Sequence, residues 1–234
     1  MGKGGSAYAR WAMNAYSTIT DSLEAARHRM VEEQIRARGV CDPRVLEAMN
    51  TVPRERFVTF PRPELAYEDR ALPLDCGQTI SQPFMVAYMT ELLEVTSDSK
   101  VLEVGTGSAY QAAVLANLAR DVHTIERIDA LRRQAEANIR SLEITNVFFH
   151  GGDGSLGIPQ EAPFDRIMVT AGAPRVPQRL IEQLARGGRM VIPVGESDEQ
   201  TVVLVERKGQ RTTETPMLAC RFVPLIGRHG WSGE

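Results

Sequence analysis

Apolar residues along this chain follow two rhythms, and the change falls near Lys100. Before it the spacing is helical. Leu23, Ala26, Met30 and Ile35 predict a helix running to about Arg38, with Asp21 and Glu24 as a capping box and Gly39 as its stop. Asp42-Pro43 predicts a short helix through Met49, with proline in the first turn. Pro53, Pro61, Pro63 and Pro73 leave residues 53–76 mostly irregular, and so long a stretch in a compact domain is often functional. A helix then starts near Pro83, with Met85, Val86, Met89, Leu92 and Leu93 on one face. Ser81 is placed to cap it.

After Lys100, short apolar runs alternate with helical segments. The predicted strands are Val101–Val104, Val122–Glu126, Val147–His150, Arg166–Thr170 and Arg189–Pro193. The predicted helices are about Tyr110–Ala119, Ile128–Leu142 and Pro177–Leu184, and Gly187-Gly188 reads as a turn into the fifth strand. Such alternation implies an α/β fold with a mostly parallel sheet covered on both faces. The rhythm changes once more at the end. Thr201–Glu206 and Met217–Val223 are strand-like with only Lys208-Gly209-Gln210 as a turn signal, which predicts an antiparallel hairpin. The layout is an extension over 1–20, flexible or an amphipathic helix, a helical and irregular layer over 21–98, and an α/β core over 99–234.

Composition adds limits. The chain has 234 residues, 43% hydrophobic and 24% charged, and a net charge of −3, so the totals carry no footprint of nucleic-acid binding. Cys41, Cys76 and Cys220 stand singly, and His28, His123, His150 and His229 are equally dispersed. That argues against a disulfide framework or a zinc site and fits a reducing cytoplasm. No apolar run approaches the roughly 18 residues of a membrane span. The start, Met1-Gly2-Lys3-Gly4-Gly5-Ser6, matches the bare myristoylation pattern, but reads more simply as a flexible start. Tyr8, Trp11, Ala12, Ala15, Tyr16 and Ile19 recur behind it at helical spacing.

The chemistry centres on Lys100–Gln111, an apolar strand that breaks at Gly105 and Gly107 before a helix. Glycines there let the backbone take positive φ and approach a ligand beyond the carboxyl end of the strand. A P-loop is excluded because no Gly-Lys-Ser/Thr follows. In the dinucleotide fingerprint the third glycine would fall on Tyr110, which obstructs a pyrophosphate, and Glu103 before the loop would repel one. S-adenosylmethionine, which lacks phosphate and carries an ammonium and a sulfonium, suits both facts. Glu126 ends the second strand about 20 residues on, where a carboxylate can take both ribose hydroxyls. Asp153-Gly154 follows the third strand, where a carboxylate could take the adenine amino group.

Val101–Gln111 resembles the nucleoside-binding motif of protein-L-isoaspartate O-methyltransferases, and Gln78–Ala87 is similar to that family's most distinctive segment. Val52–Val58, Gly152-Asp153-Gly154, Gly187–Gly195 and Arg221–Leu225 match further family segments, so the resemblance covers about residues 25–226. It implies a Rossmann-like class I methyltransferase fold. It makes Ser81 the active-site serine and lines the pocket with Gln78, Thr79, Ile80 and Ser81. It places Gly105 and Gly107 by the methionine part, with Glu103 just before them, Glu126 on the ribose and Asp153-Gly154 near the adenine. Arg221, Val223 and Leu225 then border the peptide groove. Ala109 departs from the family, which usually has glycine there; its small methyl is expected to be tolerated.

The implied reaction moves a methyl group from S-adenosylmethionine to the free carboxylate of an L-isoaspartyl residue in a damaged protein, leaving S-adenosylhomocysteine. The ester then closes to a succinimide without the enzyme. A carboxylate is already ionised at pH 7, so Ser81 is expected to orient rather than attack. Its partners would be isoaspartyl proteins and peptides, with no nucleic acid, membrane or metal, and a monomer is favoured. Two alternatives stay open on sequence: a methyltransferase for a small-molecule carboxylate, and a non-catalytic binder of S-adenosylmethionine or damaged peptides.

Overall fold

The computed structural model of the chain describes residues 22–58 and 63–233. The amphipathic pattern over 8–19, the myristoylation pattern and Asp21 of the expected capping box lie outside the described residues. A first helix, α1 (22–29), runs on through a π-helical stretch at Met30–Ile35 and a 3-10 turn at Arg36–Arg38. It ends at Gly39, whose φ of +99° is the left-handed stop that glycine supplies. Helix α2 (Pro43–Thr51) starts under an Asp42 side chain that accepts from the Arg44 N–H, with Pro43 in the first turn. Among the described residues, the proline-rich stretch holds 3-10 turns and leads into a two-stranded ribbon, β1 (Leu72–Pro73) with β2 (Thr79–Ile80). Helix α3 (Pro83–Leu93) follows.

The remaining elements are β3 (Lys100–Val104), α4 (Tyr110–Ala116), β4 (Asp121–Glu126), α5 (Asp129–Ser141), β5 (Val147–Gly151), β6 (Phe164–Val169), α6 (Gln178–Gln183), β7 (Leu184–Gly195), β8 (Gln200–Lys208) and β9 (Arg211–Cys220). They build a seven-stranded sheet in the order β5-β4-β3-β6-β7-β8-β9. Strands β5 to β7 pair in parallel, and β8 and β9 join antiparallel. The Gly209 turn, at φ +66°, closes the expected hairpin. One expectation is corrected: β7 begins at Leu184, before the glycines. Leu184 pairs with Phe164 and Arg189 with Arg166, so Gly187-Gly188 forms a bulge inside the strand.

Alternation along the strands divides the interior into two cores. Val101, Val122, Met168, Val191 and Val202 face the layer built by α2, α3 and α4. Leu102, Val104, Ile167, Val169, Met190 and Ile192 face α6 and Ile158. Strand β3, first in the core, is flanked by β4 and β6, so the chain leaves it at the point where the winding reverses. Open α/β sheets bind ligands in the crevice beyond the carboxyl ends at that point. Among the described residues no helix is long and apolar enough to cross a membrane.

Candidate active site

The loop after β3 is shaped by glycine and held by threonine. Gly105 and Gly107 have φ of +95° and +52°. A Cβ on Gly105 would stand 2.5 Å from Thr170 Oγ1, so that position admits no side chain. Thr170 Oγ1 lies 2.6 Å from the Gly105 carbonyl and 3.0 Å from that of Val104 and donates to this pair. The end of β6 therefore braces the loop after β3. Ala109 introduces α4 at φ +69°, a left-handed conformation unusual for alanine, with its methyl in the core rather than on the loop's open side.

Glu126, at the end of β4, reaches across to this loop. Its Oε2 accepts the Gly107 N–H at 3.1 Å and its Oε1 the Ile128 N–H at 2.9 Å. Each oxygen keeps lone-pair capacity for another donor, and both carboxylate oxygens are held in one orientation. This is the geometry a vicinal diol requires.

The segment 78–82 forms the opposite wall. Pairing of Leu72 with Ile80 and Pro73 with Thr79 holds it extended. The capping role expected of Ser81 is not found: the residue before α3 is Gln82, and no side chain caps that helix. Pro83 occupies the first turn, where its missing N–H needs no cap. The Ser81 carbonyl accepts from Arg54 Nη2 at 2.9 Å, and the residue lines the cavity.

A single cavity is lined by Gln78, Thr79, Ile80 and Ser81, by Gly105 and Gly107, by Glu126 and Gly154, and by Val223 and Leu225. Residues from five separate stretches thus meet in one cavity. Thr106, Thr170, Tyr110 and Ile226 also line it, and local sequence pattern did not mark them as site residues. For Thr170 the partner lies too far along the chain for spacing to reveal it: it meets Gly105 across 65 positions.

Three expected site residues stand elsewhere. Glu103 is fully buried beneath the loop, where Thr124 donates to its Oε2 at 2.5 Å while Oε1 has no partner among the described residues. Burial pushes its carboxyl up to about 8, the Thr124 hydroxyl only partly opposing, so at pH 7 it is mostly uncharged. It does not present the negative charge expected of it. Thr106 Oγ1, 2.6 Å from Thr124 Oγ1, links this buried pair to the cavity wall.

The Asp153 carboxylate turns away from the cavity. Its Oδ1 accepts from the Ser155 N–H and hydroxyl at 2.9 and 2.6 Å, and its Oδ2 from the Arg228 N–H at 2.7 Å. Burial pushes the Asp153 carboxyl up, but the Arg228 and Ser155 donors outweigh it and hold it below its usual value. Asp153 clasps the C-terminal segment, and Gly154 makes the cavity wall; a Cβ there would stand 2.6 Å from Val104 Cγ1. Arg221 is exposed and outside the lining, which Val223 and Leu225 do reach.

Residues 25–230 match the family model described as protein-L-isoaspartate(D-aspartate) O-methyltransferase. The chain belongs to this family. It is 52% identical over 211 residues to a protein-L-isoaspartate O-methyltransferase of Trichlorobacter lovleyi, covering 90% of this chain and 97% of that one. It is also similar to a solved protein-L-isoaspartate O-methyltransferase, with a TM-score of 0.79 and 31% identity over 87% of this chain and 67% of that one. A Plasmodium falciparum protein assigned to the same methyltransferase class, solved in complex with S-adenosyl-L-homocysteine, matches at a TM-score of 0.74 and 26% identity, covering 86% of this chain and 98% of that one. Members of this family are S-adenosylmethionine-dependent methyltransferases, and the parallel sheet with its antiparallel end is the class I architecture.

Proposed function

We propose that the chain transfers the methyl group of S-adenosylmethionine to the free carboxylate of L-isoaspartyl residues in damaged proteins and peptides. The observation that carries the reading is one cavity in which the braced glycine loop and Glu126 face the 78–81 segment and the Val223–Ile226 wall. The donor set fits the cofactor. Gly105 and Gly107 offer backbone approach, Glu126 two oriented oxygens, and Gly154 a wall without side chain. When bound, S-adenosylmethionine supplies an electrophilic methyl on a positively charged sulfur.

The chain's own residues hold and shield. An isoaspartyl carboxylate is ionised at neutral pH, so no general base is called for. Ser81 orients that carboxylate for in-line approach by hydrogen bonding. Ile80, Val223, Leu225 and Ile226 exclude water, which strips solvent from the nucleophile. The Asp153 clasp on the Arg228 N–H keeps the segment bearing Leu225 and Ile226 closed over the cavity.

The test is an assay with labelled S-adenosylmethionine and a peptide carrying isoaspartate or aspartate at one position. Methyl ester on the isoaspartyl peptide alone is expected. Transfer to neither peptide, with transfer to a small carboxylic acid, would overturn the proposal.

A further inference from the structure

Arg54 is among the largest fully buried side chains of the protein. Its Nε donates to the Ala66 carbonyl at 2.7 Å and its Nη2 to the Ser81 carbonyl at 2.9 Å. Its Nη1 is buried without a partner, and among the described residues no carboxylate lies within ion-pair distance. The neighbouring Glu55 is engaged instead by Tyr67 and Arg27. The guanidinium sits 4.8 Å from the ring centroid of Tyr110, which is itself on the cavity wall and packs edge-on against Phe57.

A buried cation without a counter-ion is costly, and a hydrophobic residue of similar volume would often stabilise the same place better. Burial lowers its pKa to about 10, which leaves it charged at pH 7. What only the planar fork supplies is a simultaneous grip on two carbonyls from segments 15 residues apart in the chain, Ala66 and Ser81. One of those carbonyls belongs to the residue that we place on the substrate carboxylate.

We propose that Arg54 is a positioning residue for methyl transfer: by gripping the Ser81 carbonyl it sets where the Ser81 hydroxyl stands relative to the cofactor loop. The inference rests on the assignment of Ser81 to the substrate. Arg54 touches neither reactant. It acts through the backbone, and misplacement by about 1 Å costs on the order of a hundredfold in rate.

The test uses the full chain with Arg54→Lys, Arg54→Gln and Ser81→Ala. It measures kcat and KM on an isoaspartyl peptide, S-adenosylhomocysteine binding by calorimetry, and folded fraction by circular dichroism. Lysine keeps the charge but cannot span both carbonyls. The expected result for Arg54→Lys is a fall in kcat of about ten- to a hundredfold, with the dissociation constant of S-adenosylhomocysteine within about threefold and the protein folded. Wild-type kcat in Arg54→Lys overturns the proposal. So does a loss of rate matched by loss of cofactor binding, or failure of both Arg54 variants to fold, since either marks a purely structural cation. Full activity in Ser81→Ala would instead remove the assignment of the serine, and an inactive wild type would remove the proposed reaction; the arms separate these failures.

Discussion

The Glu126 carboxylate and the Gly107 amide are joined by a 3.1 Å hydrogen bond, so the end of β4 and the loop after β3 form one cavity-facing unit. Glu126→Gln keeps the shape but loses the charge and one acceptor. Calorimetry should show S-adenosylhomocysteine bound about ten- to a hundredfold more weakly, in line with a hydrogen bond to a charged group, and the melting temperature should fall by about a few degrees, because one backbone N–H loses its acceptor. Unchanged affinity would detach Glu126 from the ribose.

The Asp153 clasp predicts a pH-linked effect. The group is held below its ordinary value of 3.8, so the stability it contributes is complete above about that pH and is lost as pH falls through the folded value. Asp153→Asn should lower the melting temperature at pH 7 by roughly 2–4 °C. The gap between the two proteins should shrink below about pH 4. Peptide KM should rise in the variant, because the wall carrying Leu225 and Ile226 loosens. A variant that melts with wild type at pH 7 would rule out the clasp.

Glu103 has the opposite sign. Its carboxyl is raised to about 8 from 4.5, so the folded protein binds the extra proton between those values and stability falls as pH rises through that window. Glu103→Gln removes the ionisation. Urea unfolding at pH 6 and pH 9 should show wild type losing a few kcal/mol more than the variant across that interval. Parallel losses would mean that Glu103 is charged throughout.

Ala109 tests how much a left-handed alanine matters. Relief of backbone strain in Ala109→Gly favours folding by about 1 kcal/mol, and loss of its buried methyl opposes by about 0.8 kcal/mol. Thermal melting should therefore move little. The dissociation constant of S-adenosylhomocysteine should stay within about threefold, because the methyl packs in the core. A tenfold gain in affinity would show that the methyl crowds the site.

What the sequence alone determined is local or periodic. Alternating strand and helix spacing specified the parallel sheet. The break at Gly105 and Gly107 located the loop, and Lys208-Gly209-Gln210 the hairpin. The placing of Glu126 beside the loop was legible because an acid ending the second strand, about 20 residues on, falls next to the loop that follows the neighbouring strand. Helix starts were legible where proline and aspartate act on their neighbours, as at Asp42-Pro43. The same logic misled at Ser81, because a residue's capping power says nothing about where its backbone turns; Gln82 took the position.

Only the tertiary structure decided which acids face the cavity. Glu103 and Asp153 have the same chemistry as Glu126. One lies under the loop beside Thr124, and the other turns to Ser155 and Arg228, 75 positions ahead. Arg54, Thr170 and the Leu225 wall also depend on contacts between stretches far apart in the chain. The reason is that a hydrogen bond or a desolvated charge depends on what other elements bring alongside it, and spacing along one element does not encode that.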